Sequence, residues 1–138
     1  MRVVLDTNVF VGACLGVGAC NAVVRACFEH KFTPLMGASL MAEYEAVLGR
    51  DALFKKSTLD AADRESLLDI YLALCEWTKV YYLWRPNLPD ESDNHLIEVA
   101  VAGGAEFIVT RNLRDLQNCQ ILFPALRVVS PEHFLKEL

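Results

Sequence analysis

The sequence predicts an α/β fold in which a parallel sheet of short strands is covered by helices on both faces. Short apolar runs bounded by polar residues recur along the chain, and segments of helical period separate them. With 138 residues, 54% hydrophobic and 22% charged, the chain suits one compact domain over 1–138 that buries roughly two thirds of its unfolded surface.

Arg2-Val3-Val4-Leu5 is β-branched and stops at Asp6-Thr7-Asn8, as a strand buried on both faces does. Cys20 to His30 places Val23, Val24, Cys27 and Phe28 at helical spacing. Phe32 to Met36 reads as a second strand ended by Gly37, and Ser39 as the N-cap of a helix to about Leu48. Asp60 to Glu76 is the longest helical pattern, with Leu67, Leu68, Tyr71, Leu74 and Cys75 on one face. Val80 to Leu83 reads as a strand, and Trp84 to Ser92, with Pro86 and Pro89, as a loop. A helix follows from about Asp93 to Ala102, then a strand over Glu106 to Thr110. Arg127 to Val129 is the last strand, and Ser130-Pro131-Glu132 opens a final helix with an N-cap, a first-turn proline and an acid.

Several classes are disfavoured at once. Thirteen basic against eighteen acidic residues leave a net charge of −5, opposite to a surface that tracks phosphates by bulk charge. Five cysteines (Cys14, Cys20, Cys27, Cys75, Cys119) are an odd number without a C-x-x-C pair, which fits free thiols in a reducing compartment better than a disulfide framework or zinc ribbon. Thr7 to Val24 lacks charge over a helix-spanning length, yet Asn8, Asn21 and three glycines interrupt it. A soluble, cytoplasmic protein without a membrane segment is expected.

Parallel sheets place ligands at the carboxyl ends of their strands. Asp6 stands there, either as a functional carboxylate or as a cap of the following helix. Glu43 falls beside Leu40 and Val47 at the edge of a buried stripe, as a functional group or an ion-pair partner of Arg50, whereas Glu45 points to water. Asp93 begins a helix, where capping alone would also select it. Thr110-Arg111-Asn112-Leu113-Arg114-Asp115 supplies a hydroxyl, an amide, a carboxylate and two guanidinium groups after an apolar strand. Carboxylates gathered without cations repel one another, and a hard divalent ion held by oxygens removes that cost. Such an ion activates water and neutralises charge on a phosphodiester.

In this order and spacing, Val3-Val4-Leu5-Asp6-Thr7-Asn8, Glu43 within Ser39-Leu40-Met41-Ala42-Glu43-Tyr44, Asp93-Asn94, and Val109 to Leu116 resemble the PIN-domain family, specifically the VapC-like toxins. The resemblance spans roughly the whole chain. It implies a three-layer α/β/α fold with about five parallel strands, and a Mg²⁺- or Mn²⁺-dependent endoribonuclease in which Asp6, Glu43 and Asp93 are the central acids. The fourth acidic position departs from the pattern: Asn112 stands two residues after Thr110, and a carboxylate comes only at Asp115. Asp115 is expected to contribute to catalysis and metal binding, with Asn112 as the alternative ligand. Thr7, Asn8, Ser39 and Thr110 are candidate donors that orient the carboxylates. Arg111 and Arg114 are candidates for holding substrate phosphate. Asp90 and Glu91 lie at the expected rim.

The resemblance also implies an RNA substrate, a cognate antitoxin and a homodimer, with the Leu67–Leu74 face serving a partner or the core. The alternative is a catalytically weak or inactive PIN-like module that binds RNA or a partner protein, suggested by Asn112. Haloacid-dehalogenase-type phosphatases are disfavoured because Asn8 stands where they need a second Asp. If acids gather round a cation, part of the −5 is offset, and RNA binding depends on divalent ions more than on monovalent salt.

Overall fold

The computed structural model describes residues 1–80, 91–116 and 123–138, with residues 91 and 92 described by backbone alone. The chain runs β1 (Arg2–Leu5), α1 (Thr7–Cys14), α2 (Gly18–Phe28), β2 (Thr33–Met36), α3 (Ala38–Leu48), a 3-10 turn (Asp51–Phe54), α4 (Ala61–Leu74), β3 (Glu76–Trp77), α5 (Glu91–Gly103), β4 (Phe107–Val109), α6 (Leu113–Leu116), β5 (Arg127–Val129) and α7 (Pro131–Glu137).

The five strands form one parallel sheet in the order β3-β2-β1-β4-β5. Successive strand residues point to opposite faces, and Val3, Val4 and Leu5 are all completely buried. Both faces at the centre of the sheet are therefore covered, which explains the unbroken apolar runs. α5 packs over β1, β2 and β4, while α2 contacts α1, α4 and α7. Phe134 of α7 meets Phe32 and Phe107 edge to face, at centroid distances of 5.1 and 5.5 Å.

From β1 the chain winds outward through β2 to β3, then returns to the other side of β1 as β4 and continues to β5. The winding thus reverses between β1 and β4, and a crevice opens beyond their carboxyl ends.

The structure revises several sequence expectations. The third strand is Glu76–Trp77; Val80 is not in a strand, and 81–83 lie outside the described residues, as do the expected 84–90 loop, Asp90 and Cys119. Ser39 is not the N-cap of α3: that position is Gly37, and Ser39 is exposed within the first turn. α5 begins at Glu91, so Asp93 sits inside its first turn. The helix Thr7–Cys14 adds an element where sequence periodicity was weak, because five of its eight residues are buried and no polar stripe marks it. α1 and α2 bend by 104° at their junction, and among the described residues no single helix is long and apolar enough to cross a membrane. On α4, Leu68 and Tyr71 lie in the core, as does Cys75 just beyond it, while Leu67 and Leu74 are half-buried; this face mainly serves the interior. The cap at Ser130 is as expected: its hydroxyl accepts from the His133 N–H at 3.1 Å, and Pro131 is the first helical residue.

Candidate active site at the β1/β4 crevice

Asp6 follows β1 directly. Its N–H donates to Val109 O on β4 at 2.9 Å, and its carbonyl accepts from the Val9 N–H at 3.0 Å. The backbone therefore passes from sheet to helix at this residue, which leaves the side chain at the mouth of the crevice. Asp6 occupies the N-cap position of α1, but its side chain makes no capping hydrogen bond. Capping does not explain the carboxylate.

Oδ2 of Asp6 instead accepts from the Thr110 hydroxyl at 2.7 Å and from Nδ2 of Asn8 at 3.2 Å. Hydrogen bonds to a charged acceptor are short and strong, and Thr110 is completely buried while Asp6 is 9% exposed. The Thr110 hydroxyl also accepts from the Asn112 N–H at 3.0 Å. Oδ1 of Asn8 accepts from the Arg111 N–H at 3.2 Å. The turn after β4 is thus clamped to the start of α1, with the Asp6 carboxylate at the centre of the clamp.

A second tie joins α3 to the same strand end. The buried Tyr44 hydroxyl donates to Leu5 O at 2.6 Å. Asp6 comes one residue after that carbonyl, and Glu43 one residue before that tyrosine. Burial pushes the Tyr44 hydroxyl well above the usual tyrosine range, and the charge on Asp6 adds to this, with Glu43 contributing further. Both carboxylates therefore act on the same buried oxygen. Tyr44 stacks on Tyr71 (centroids 5.8 Å apart, 16° between planes) and meets Phe10 edge to face, which fixes its position.

Glu43 is half-buried and Glu45 exposed, as the helical pattern implies. Asp93 and Asn94 are buried in the first turns of α5. Asp115 is exposed on α6 and accepts from Nδ2 of Asn112 at 2.6 Å. Among the described hydrogen bonds it connects with Asp6 through the relay Asn112–Thr110. Arg111 and Arg114 are exposed. The Arg111 guanidinium lies against Gly12, and its charge lowers the Cys20 thiol, although burial outweighs this and leaves the thiol raised. Ser39 makes no contact with this clamp among the described hydrogen bonds. Thr7 is 4% exposed, and its hydroxyl oxygen has no hydrogen-bond partner among the described residues. Among the described residues no three Asp, Glu, His or Cys side chains are grouped closely enough to hold a metal ion by themselves.

A family model for the PIN domain matches residues 2–114. The chain belongs to the PIN-domain family. The PIN-domain match runs from β1 to the first residues of α6 and so takes in Asp6, Glu43, Asp93, Thr110 and Asn112, while Asp115 falls just beyond it. The fold is similar to a chain of the VapBC2 complex from Rickettsia felis, solved bound to a DNA fragment from their promoter: TM-score 0.62 and 18% identity, over 94% of this chain and 98% of that one. Among curated proteins no sequence matches.

Tyr44 is the residue that sequence reasoning missed. In the sequence it stands only at the end of the Ser39–Tyr44 motif, and the one available signal is a hydroxyl four residues after Leu40 on the inward face of a helix, which once buried must find an acceptor.

Proposed function

We propose that this PIN-domain chain is an endoribonuclease that hydrolyses RNA phosphodiester bonds with Mg²⁺ or Mn²⁺, and that it is the toxin of a toxin–antitoxin pair. The observation that carries the reading is the Asp6 carboxylate: it sits at the point where the sheet reverses its winding, is held by Thr110 and Asn8, and serves no capping role. Family membership supports a nuclease, and the structural similarity to a VapBC2 complex supports an antitoxin protein as partner.

The donor set suits a hard divalent ion. Magnesium takes one or two carboxylates and keeps several waters, so it does not need a closed cage of three acids. Asp6 is the anchoring carboxylate, and Glu43, Asp93, Asp115 and the Asn112 carbonyl complete the candidate set, with the buried Thr7 hydroxyl next in the chain to Asp6. When bound, the ion supplies an activated water and offsets charge on the scissile phosphate. Thr110 and Asn8 hold the Asp6 carboxylate in one orientation. The Tyr44 tie holds α3, and with it Glu43, against the end of β1. Arg111 and Arg114 stand on the rim, exposed, where they can meet the substrate backbone.

A second reading, an RNA- or partner-binding module that does not cut, draws on Asn112 in place of an acid and on the exposure of Asp115. One experiment separates the two. Mn²⁺ raises the melting temperature of the wild type and much less that of Asp6→Asn, and RNA is cut with Mg²⁺ or Mn²⁺ by the wild type but not by Asp6→Ala or Asp93→Ala. Equal Mn²⁺ shifts, or variants that cut as fast as the wild type, sink the nuclease reading.

A further inference from the structure

Beside the crevice, at the carboxyl ends of β2 and β3, lies a cavity of about 600 Å³. Its floor is Gly37, where a Cβ would stand 2.8 Å from Cγ2 of Val99, so glycine there lets α5 close against the end of β2. Its walls include Trp77 and Lys79 on one side and His95 and Glu98 of α5 on the other. Trp77 is 50% exposed and is the only Phe, Tyr or Trp so exposed among the described residues. Nothing in the core accounts for so large a ring on a two-residue edge strand.

We propose that this cavity takes an unpaired base of the RNA strand, stacked on Trp77, and that Lys79 on the rim meets the adjoining phosphate. The inference rests on the nuclease reading above and adds a base subsite to it. Position is the first argument. α3 carries Glu43 and begins at the cavity, and α5 carries both Asp93 and the cavity wall, so a strand lying across Asp6 along the carboxyl edge reaches this cavity next. Chemistry is the second. A flat aromatic face half open to solvent, as Trp77 offers, stacks any base. Size is the third, since the volume lies within the range of small-ligand sites. The occupant is therefore a single-stranded nucleotide, and duplex RNA, whose bases are stacked on one another, is excluded.

The test is binding of a short, unstructured, fluorescently labelled oligoribonucleotide by anisotropy, with Ca²⁺ replacing Mg²⁺ so that the strand stays intact. Trp77→Ala and Trp77→Leu each weaken binding about tenfold, Trp77→Phe stays within about twofold, and all three keep the wild-type Mn²⁺ shift in melting temperature. In cleavage assays Trp77→Ala raises KM and leaves kcat within about twofold. If wild type cuts RNA and Asp6→Ala does not, yet Trp77→Ala and Trp77→Leu bind as wild type does, the subsite is refuted and the nuclease reading stands. If wild type neither binds nor cuts RNA, the nuclease reading falls, and the subsite falls with it.

Discussion

Replacing Thr110 by Val keeps the shape of the side chain and removes the hydroxyl. That hydroxyl gives Asp6 its shortest described hydrogen bond, 2.7 Å, in a place where Thr110 is completely buried and Asp6 nearly so. A hydrogen bond to a charged group contributes about 1.5–3 kcal/mol. At about 2.1 cal/mol/K of unfolding entropy per residue, a chain of this length loses roughly 0.3 kcal/mol of stability per kelvin near its melting point, so Thr110→Val should melt about 5–10 °C lower. If Asp6 anchors the ion, an unsteadied carboxylate also binds Mn²⁺ about ten- to a hundredfold more weakly. Calorimetric melts across a Mn²⁺ titration read both effects. Thr110→Ser, which retains the hydroxyl, should keep wild-type Mn²⁺ affinity. A Thr110→Val protein that melts within about 1 °C of wild type would refute the clamp; one that melts lower but binds Mn²⁺ normally would leave Asp6 a purely structural residue.

Two further outcomes follow from packing and burial. Ala at position 12 is the better helix former by about 1 kcal/mol, but its Cβ would stand 2.6 Å from the Cys20 sulfur, so Gly12→Ala should lower the urea midpoint and adding Cys20→Ala should restore much of it; a more stable single variant contradicts the close approach. Cys27 and Cys75 have thiols pushed up to about 12 by burial, so the folded state keeps protons that the unfolded state loses above about pH 9. Their stabilising contribution is complete below that pH and is lost as pH rises towards 12, with the buried Tyr44 and Tyr71 adding the same sign. Urea midpoints should fall steadily on the alkaline side, less steeply in Cys27→Ala/Cys75→Ala, and a flat profile would count against neutral burial of these groups.

How far the sequence discloses this molecule depends on how many neighbours each residue answers to. β1 and β4 were legible because strands covered on both faces need apolar residues throughout, as Val3-Val4-Leu5 and Phe107-Ile108-Val109 provide, and β2 and β5 because an apolar run follows one polar residue in each. β3 was not. Two residues paired on one side only, an exposed glutamate and an exposed tryptophan, carry no period and no apolar run. α1 escaped because it packs on several sides, and its glycine, which lowers helix propensity, is required by the nearness of Cys20. At the site, Asp6 was conspicuous as a carboxylate after an apolar strand, but only the fold reveals that Thr110 steadies it, since chain order says nothing about contacts across the sheet. Ser39 illustrates the converse error. Serine is a favoured cap, yet the sharp close approach at residue 37 demands glycine there, and the helix begins two residues earlier than the hydroxyl needs.

The central place of β1 has a consequence for biosynthesis. Asp6 leaves the ribosome well before the hydroxyl that steadies it, which lies 104 positions further on, and Val3 waits for Phe107 to complete its pairing. Pairings so distant in sequence form late and close long loops. A nascent chain, or a fragment truncated before β4, carries the carboxylate without its crevice. Any chemistry seated there begins only after β4 and Thr110 have been made and have paired with β1.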